Sequence, residues 1–285
     1  TVEMLKRYKK EFKKTVTKAV EEFQPELIIT HHLWIVTSLI SKIISDIKVI
    51  AISHGTGLRQ MKKNPEYSDY VISGAKKLDL VFSLTEHQKE EIIKLYNIDK
   101  SKITTLGAGY NSNIFYASKN KNERNNINLV YAGKLSSSKG VKHLIRACNL
   151  LDKEIREKVN LTLLGEGNGK EFKEIKNISR KSKVDVKLPG SVPQEKLGEI
   201  FRKSDVFCLP SFYEGLALVI IEALASGLKV VTTDLPGLKN YLGKKINQSG
   251  AIEYVKMPRL EDTDIPVKGD IRDFEKRFSR AINKQ

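Results

Sequence analysis

Apolar residues recur at helical spacing over the first 23 positions. Met4, Leu5, Tyr8, Phe12, Val16, Ala19, Val20 and Phe23 fall together, and Lys6, Lys9, Lys10, Lys13 and Lys14 fall largely elsewhere. The spacing predicts an amphipathic helix that Pro25 ends. Beyond it the period shortens. The runs "ELIIT" at 26–30, "VIAIS" at 49–53, "LDLVFSL" at 78–84 and "KITTLG" at 102–107 have the length and β-branched content of buried parallel strands. Helical patterns over 34–47 and 86–96 alternate with them, which is the rhythm of a layered α/β fold.

The run "YASKNKNERNNIN" at 116–128 has no apolar period and reads as a linker. A second series follows it. Strands are expected at 128–133, 159–165, 185–190, 205–210 and 229–233, with helices between them, including 140–151 and about 216–225. The organisation predicted is two doubly wound domains, 1–118 and 119–270, and a closing helix over 271–285 near their junction. A doubly wound domain commonly opens on a strand and a glycine-rich turn, whereas this chain opens on a helix. The front of the first domain is therefore expected to be incomplete.

Charge and cysteine content narrow the function classes. Fifty Lys and Arg against 34 Asp and Glu leave a formal +16, which favours anionic partners of any kind. No helix-turn-helix or repeated aromatic platform is present, so nucleic acid is not among the expected partners. Cys148 and Cys208 sit in apolar contexts and read as small hydrophobes rather than as disulfide or metal ligands. No apolar run reaches membrane-spanning length and no signal-peptide core opens the chain, so a cytoplasmic protein is expected. The basic first helix leaves two readings open: a surface helix packed on the sheet, or a peripheral contact with an anionic inner membrane face.

Three stretches carry candidate chemistry. In "LPSFYEGLALVIIEALASG" two glutamates, Glu214 and Glu222, stand eight positions apart in an apolar setting. The strand is expected to end near Pro210 and the next helix to begin at about Gly215, so that free amides lie at the carboxyl edge of the sheet, where such folds bind phosphate. Glu222 would then lie about two turns inside the helix, held by a vicinal diol, by an ion pair or by solvent. In "YAGKLSSSKG", Lys134 and Lys139 bracket a small-residue turn after Gly133 without the spacing of a Walker loop. In "AISHGTGLRQ", His54 follows a strand and precedes Gly55 and Gly57. His31 and His32 also follow a strand, yet their spacing with His54 matches no recognised metal motif, so no metal is assigned.

Together these stretches resemble the retaining glycosyltransferases of group 1, family four, along nearly the whole chain after residue 25. The most specific part is the E-x7-E signature formed by Glu214 and Glu222. The lysine turn matches the family's basic pair, with Lys134 where arginine is usual, and Gly107 and Ala108 replace a common Pro-Asn. The resemblance implies a GT-B architecture of two Rossmann-like domains facing across a cleft, and transfer of a sugar from a nucleotide-diphosphate donor to an acceptor hydroxyl with retention. It implies that Glu222 holds the donor ribose, that Lys134 and Lys139 neutralise its diphosphate, and that the amides of Gly215, Leu216 and Ala217 contact phosphate or sugar. Ser191 and Val192 would border the base, and Gly133 would also belong to the donor-binding set. Glu214 would bond sugar hydroxyls, and His54 would approach the sugar. No cofactor or metal is implied, and the acceptor is a glycan, a lipid or a small molecule. After Gly237 the sequence drifts from the family pattern and lacks the "PE…G-x-L" run usual there. A non-catalytic nucleotide-binding protein, or a subunit completed by a partner, is the alternative from another class, and a nucleotide-sugar epimerase of the same fold is a third.

Overall fold

The computed structural model describes residues 2–118 and 125–285, so the expected linker lies partly outside the described residues. The chain divides into two compact units, Thr1–Ala108 and Gly109–Gln285. Ile114 and Phe115 pack into the core of the second unit, which is why 109–118 joins that unit and not the first, where the linker reading had placed it.

The first unit runs α1 (Val2–Phe23), β1 (Leu27–His31), α2 (Ile35–Ile43), β2 (Lys48–Ile52), α3 (Thr56–Lys63), α4 (Ser68–Ala75), β3 (Leu80–Ser83), α5 (Glu86–Tyr96) and β4 (Ile103–Thr105). Its four strands lie in chain order in one parallel sheet. Val49, Ala51, Val81 and Ile103 bury against Leu58, Val71, Ile92 and Tyr96 from the helices. The amphipathic helix α1 contacts α2, with Leu5 and Val16 against the core. Met4, Tyr8 and Phe12 remain exposed, since one helix can turn only part of a wide apolar stripe inward.

The second unit contains β5 (Ile127–Ala132), α6 (Val141–Cys148), α7 (Lys153–Arg156), β6 (Val159–Leu164), α8 (Gly169–Arg180), β7 (Asp185–Gly190), α9 (Gln194–Arg202), β8 (Val206–Leu209), α10 (Leu218–Ala225), β9 (Lys229–Thr233), α11 (Leu238–Asn247), β10 (Ile252–Val255), the short pair β11 (Leu260–Asp262) and β12 (Ile265–Pro266), and α12 (Ile271–Asn283). Six parallel strands form one sheet in the order β10-β9-β8-β5-β6-β7. The chain winds outward from β5 to β7, then returns to the other side of β5 and winds outward again from β8. The two halves part between β5 and β8, and a doubly wound sheet opens its ligand crevice at the carboxyl end of such a switch point.

The strand β10 has no counterpart in the sequence reading. It is a four-residue edge strand with Glu253 and Tyr254 half-buried in its middle, too short and too polar to announce itself. The closing helix is integral to the second unit: α12 packs on α6 and β10, burying Phe274 and Phe278. His143 of α6 meets Glu275 of α12 at 2.7 Å inside that contact.

Candidate donor site

The two loops that flank the switch point are joined backbone to backbone. After β5 the chain passes Gly133, Lys134 and a single turn at Ser137–Lys139 to reach Gly140. Gly140 has φ +67°, and a Cβ there would lie 2.1 Å from the carbonyl oxygen of Pro210, at the end of β8. Only glycine allows this approach. Phe212 N donates to Ser138 O at 3.0 Å and ties the second loop to the first.

The consequence is an ion pair across the crevice. Lys139 Nζ stands 2.7 Å from Glu214 Oε2, with the two side chains 25% and 19% exposed. The same ammonium donates to Tyr213 O at 3.2 Å. The sequence reading gave these residues separate tasks, on phosphate and on sugar, and the fold makes them one charge pair. Below them Tyr131 is buried and donates its hydroxyl to Lys134 O at 2.8 Å. Burial first, and then the Glu214 charge, push its phenol well above the usual range.

The helix that follows starts later than the pattern predicts. α10 begins at Leu218, and Leu218 N bonds Leu216 O at 2.9 Å in a tight turn, so Gly215, Leu216 and Ala217 are loop. Their three N–H groups donate to nothing among the described residues. Consecutive open amides ahead of a helix form a concave donor array suited to an anion. Glu222 accordingly lies about one turn inside α10 and not two. It is half-buried between the core residues Ile220 and Ala223, and its carboxylate has no hydrogen-bond or ion-pair partner among the described residues. Burial raises its pKa.

On the other side of β5 a cavity of about 480 Å³ opens over the ends of β5, β6 and β7. Gly133 and Lys134 line it together with Ser191 and Val192, and so does the loop Gly165–Asn168. That loop was missed in the sequence, although "LLGEGNG" shows the signal: a strand running directly into glycines. Gly165 has φ +134°, and a Cβ there would fall 1.9 Å from Gly133 O. Leu135 N donates to Glu166 O at 2.7 Å, so the two loops form one rim. Val192 and Leu197 supply apolar lining and the open strand ends supply polar backbone, a combination suited to a flat heterocycle.

His54 belongs to the first unit. Its Nε2 is 2.8 Å from His31 Nδ1, and the two rings stack with centroids 5.1 Å apart. His32 presents an edge at the same centroid distance. Burial, and then the neighbouring His32 and His31, lower the His54 pKa. Among the described residues no group of three or more His, Cys, Asp or Glu is placed to hold a metal ion. No described helix is long and apolar enough to cross a membrane.

Two family descriptions match residues 3–256 between them. Residues 113–256 match "Glycosyl transferases group 1" and residues 3–113 match "Glycosyltransferase Family 4". An uncharacterized glycosyltransferase of Methanocaldococcus jannaschii is 26% identical over 62% of this chain and 47% of its own length. A D-inositol 3-phosphate glycosyltransferase of Pseudarthrobacter chlorophenolicus is 32% identical over 59% of this chain and 42% of its own. The matched part of the chain thus spans less than half the length of these curated relatives. Among solved structures, sucrose-phosphate synthase from Thermosynechococcus elongatus superposes with a TM-score of 0.72 at 16% identity, covering 99% of this chain and 73% of that one. HepE of Anabaena, crystallised with UDP, gives 0.66 at 18%, covering 96% and 76%. At these identities the likeness shows the fold alone, GT-B with two Rossmann-like domains. With a family match over half its length, the chain belongs to the group 1 glycosyl transferases.

Proposed function

We propose that the protein transfers a sugar from a nucleotide-diphosphate donor to an acceptor hydroxyl with retention of anomeric configuration, and that the second unit binds the donor. The observation that carries this reading is the meeting of Lys139 and Glu214 at the switch point, next to three consecutive open amides. A diphosphate laid on the Gly215, Leu216 and Ala217 amides would face Lys139, with Lys134 at the rim. Those charges substitute for a metal in our reading; full activity in EDTA is the check. The base would enter the cavity bordered by Gly133, Ser191 and Val192. Glu222 would accept both hydroxyls of the ribose, which explains a half-buried carboxylate without a partner among the described residues.

Bond making and breaking occur on one face of the sugar. The acceptor oxygen forms its bond to the anomeric carbon as the bond to the diphosphate oxygen breaks, and the acceptor proton passes to that leaving oxygen. Lys139 and the amides stabilise the negative charge that develops on the diphosphate, an electrostatic contribution typically worth about 3 kcal/mol per donor. Glu214, held by Lys139, would orient sugar hydroxyls, and His54 would serve as a donor or acceptor to the sugar. A covalent glycosyl intermediate trapped on Glu214 would exclude this path.

UDP-sugars are the first donors to try, since HepE is crystallised with UDP. Calorimetric titration with UDP, GDP and ADP tests the site. One nucleotide should bind at micromolar strength, and Lys139→Ala should weaken it about tenfold or more, the usual loss for a charge-assisted hydrogen bond of ~1.5–3 kcal/mol. Stoichiometric binding without sugar release in the presence of any acceptor would instead make the chain a binding module. We also propose peripheral contact of α1 with an anionic membrane, supported by exposed Met4, Tyr8 and Phe12 beside Arg7, Lys14 and Lys18. Salt-sensitive sedimentation with phosphatidylglycerol vesicles is expected, and equal sedimentation with neutral vesicles would count against it.

A further inference from the structure

Lys139 and Glu214 meet only if two irregular loops keep a fixed separation, and a buried contact behind the loops bears on it. His143 stands in the first turn of α6, just after the turn that carries Lys139, and Phe212 shares its loop with Glu214. Their rings meet edge to face with centroids 5.7 Å apart. Both side chains are buried, so a shift of either loop must be passed to the other through that contact.

Both side chains lean on the same helix. Phe274 of α12 packs on Phe212 with centroids 5.4 Å apart, and the next residue, Glu275, meets His143 Nδ1 at 2.7 Å. A carboxylate accepts hydrogen bonds and does not donate them, so the proton of this bond lies on His143 Nδ1 and the ring has one orientation. Arg146 Nη1 stands 3.6 Å from the same carboxylate oxygen and holds Glu275 toward α6. An apolar pair of similar size would join the two helices as firmly. The polar pair adds direction, because it fixes the rotation of the imidazole whose edge braces Phe212. Two adjacent residues of α12 thus hold one loop each.

We propose that Glu275 is a positioning residue for the donor site. Through His143, and beside Phe274 acting on Phe212, it fixes the loop after β5 against the loop after β8. It thereby sets how Lys139 meets Glu214 and where the amides of Gly215, Leu216 and Ala217 point, without touching nucleotide or sugar itself. The consequence for donor binding rests on the transferase reading above, whereas the coupling of α12 to the two loops does not.

Hydrogen exchange on the unliganded chain tests the coupling. The Phe212 amide, bonded to Ser138 O, is read against the strand amides of Val130 and Leu161, which report global opening. Glu275→Ala and His143→Ala should each raise the ratio of the Phe212 rate to the strand rates about tenfold, one hydrogen bond's worth. Glu275→Gln, whose amide oxygen still accepts from Nδ1, should raise it less. Phe274→Leu, a milder change at the other hold, should move it in the same direction and carries the test if Glu275→Ala does not fold. Ile282→Ala, a buried change near the far end of the same helix, should leave the ratio as it is. Calorimetry with UDP, GDP and ADP, with every variant folded, tests the consequence. Glu275→Ala should weaken the nucleotide that binds the unaltered chain about tenfold, Glu275→Gln should recover most of that affinity, and Ile282→Ala should change nothing. On a Lys139→Ala background the loss from Glu275→Ala should shrink, because its effect runs through that lysine. An unchanged exchange ratio in the folded variants, or a rise that Ile282→Ala matches, would overturn the proposal, and so would a raised ratio with undiminished nucleotide affinity. Failure of all three nucleotides to bind the unaltered chain would instead remove the donor reading, and the exchange ratio would still confirm or refute the coupling.

Discussion

Glu222 is the residue at which binding and stability should move in opposite directions. Its carboxylate is half-buried and has no partner among the described residues, and burial raises its pKa. A raised folded pKa means that this group contributes stability below its unfolded value, near ~4.3, and that the contribution is lost as the pH rises through the folded value. At pH 7 the ionised side chain therefore destabilises the unliganded chain. Glu222→Gln removes that charge while keeping the shape. Because solvent still reaches the group, the gain should be modest, about 0.5 kcal/mol or 1–2 °C in Tm at neutral pH, shrinking towards zero near pH 4. The same substitution takes one of two charged acceptors from the ribose. With hydrogen bonds to charged groups worth ~1.5–3 kcal/mol each, nucleotide affinity should fall about 10- to 100-fold, and Glu222→Ala should fall further. Scanning fluorimetry across pH and calorimetry with the cognate nucleotide measure the two arms. A Glu222→Gln protein that loses stability at pH 7 would show that the carboxylate has a partner in the folded state, and undiminished nucleotide affinity would remove it from the donor site.

Three further outcomes are expected. Gly165→Ala places a Cβ 1.9 Å from Gly133 O at φ +134°, so urea unfolding should show a loss of about 2–4 kcal/mol together with weakened nucleotide binding. Glu275→Ala leaves His143, and Arg146 at 3.6 Å, without their carboxylate between α6 and α12; a loss of about 3 kcal/mol and earlier proteolysis within α12 are expected, with Glu275→Gln milder. Burial pushes the Cys148 thiol up to about 12 and Cys208 well above its ordinary value, so a thiol-reactive dye at pH 8 should label neither until denaturant is added.

Much of the fold was legible along the chain because burial on both faces of a parallel sheet writes itself as short continuous apolar runs. All nine strands expected from such runs are present, from β1 through β9. The strand β10 was not legible, because an edge strand with Glu253 and Tyr254 in its middle carries no such run. The start of α10 was misplaced for a different reason. Leu216 and Ala217 suit a helix by composition, but a backbone turn between Leu216 and Leu218 holds them out of it. The cost of that turn is local, and its benefit, three open amides at the crevice, is visible only in three dimensions.

The candidate site divides along the same line. E-x7-E spacing, a lysine turn after a strand and a histidine before glycines are local patterns, so residue order alone marked Glu214, Glu222, Lys139 and His54. Which of them meet was decided by long-range contacts. Lys139 reaches Glu214 at 2.7 Å because Gly140 lies against Pro210, and His54 meets His31 at 2.8 Å because β1 and β2 pair in parallel register. Sequence determines which groups are available and which period each segment follows. Only tertiary packing decides which carboxylate is neutralised by a lysine and which, like Glu222, is left half-buried without a partner among the described residues, since desolvation and pairing depend on neighbours far away in the chain.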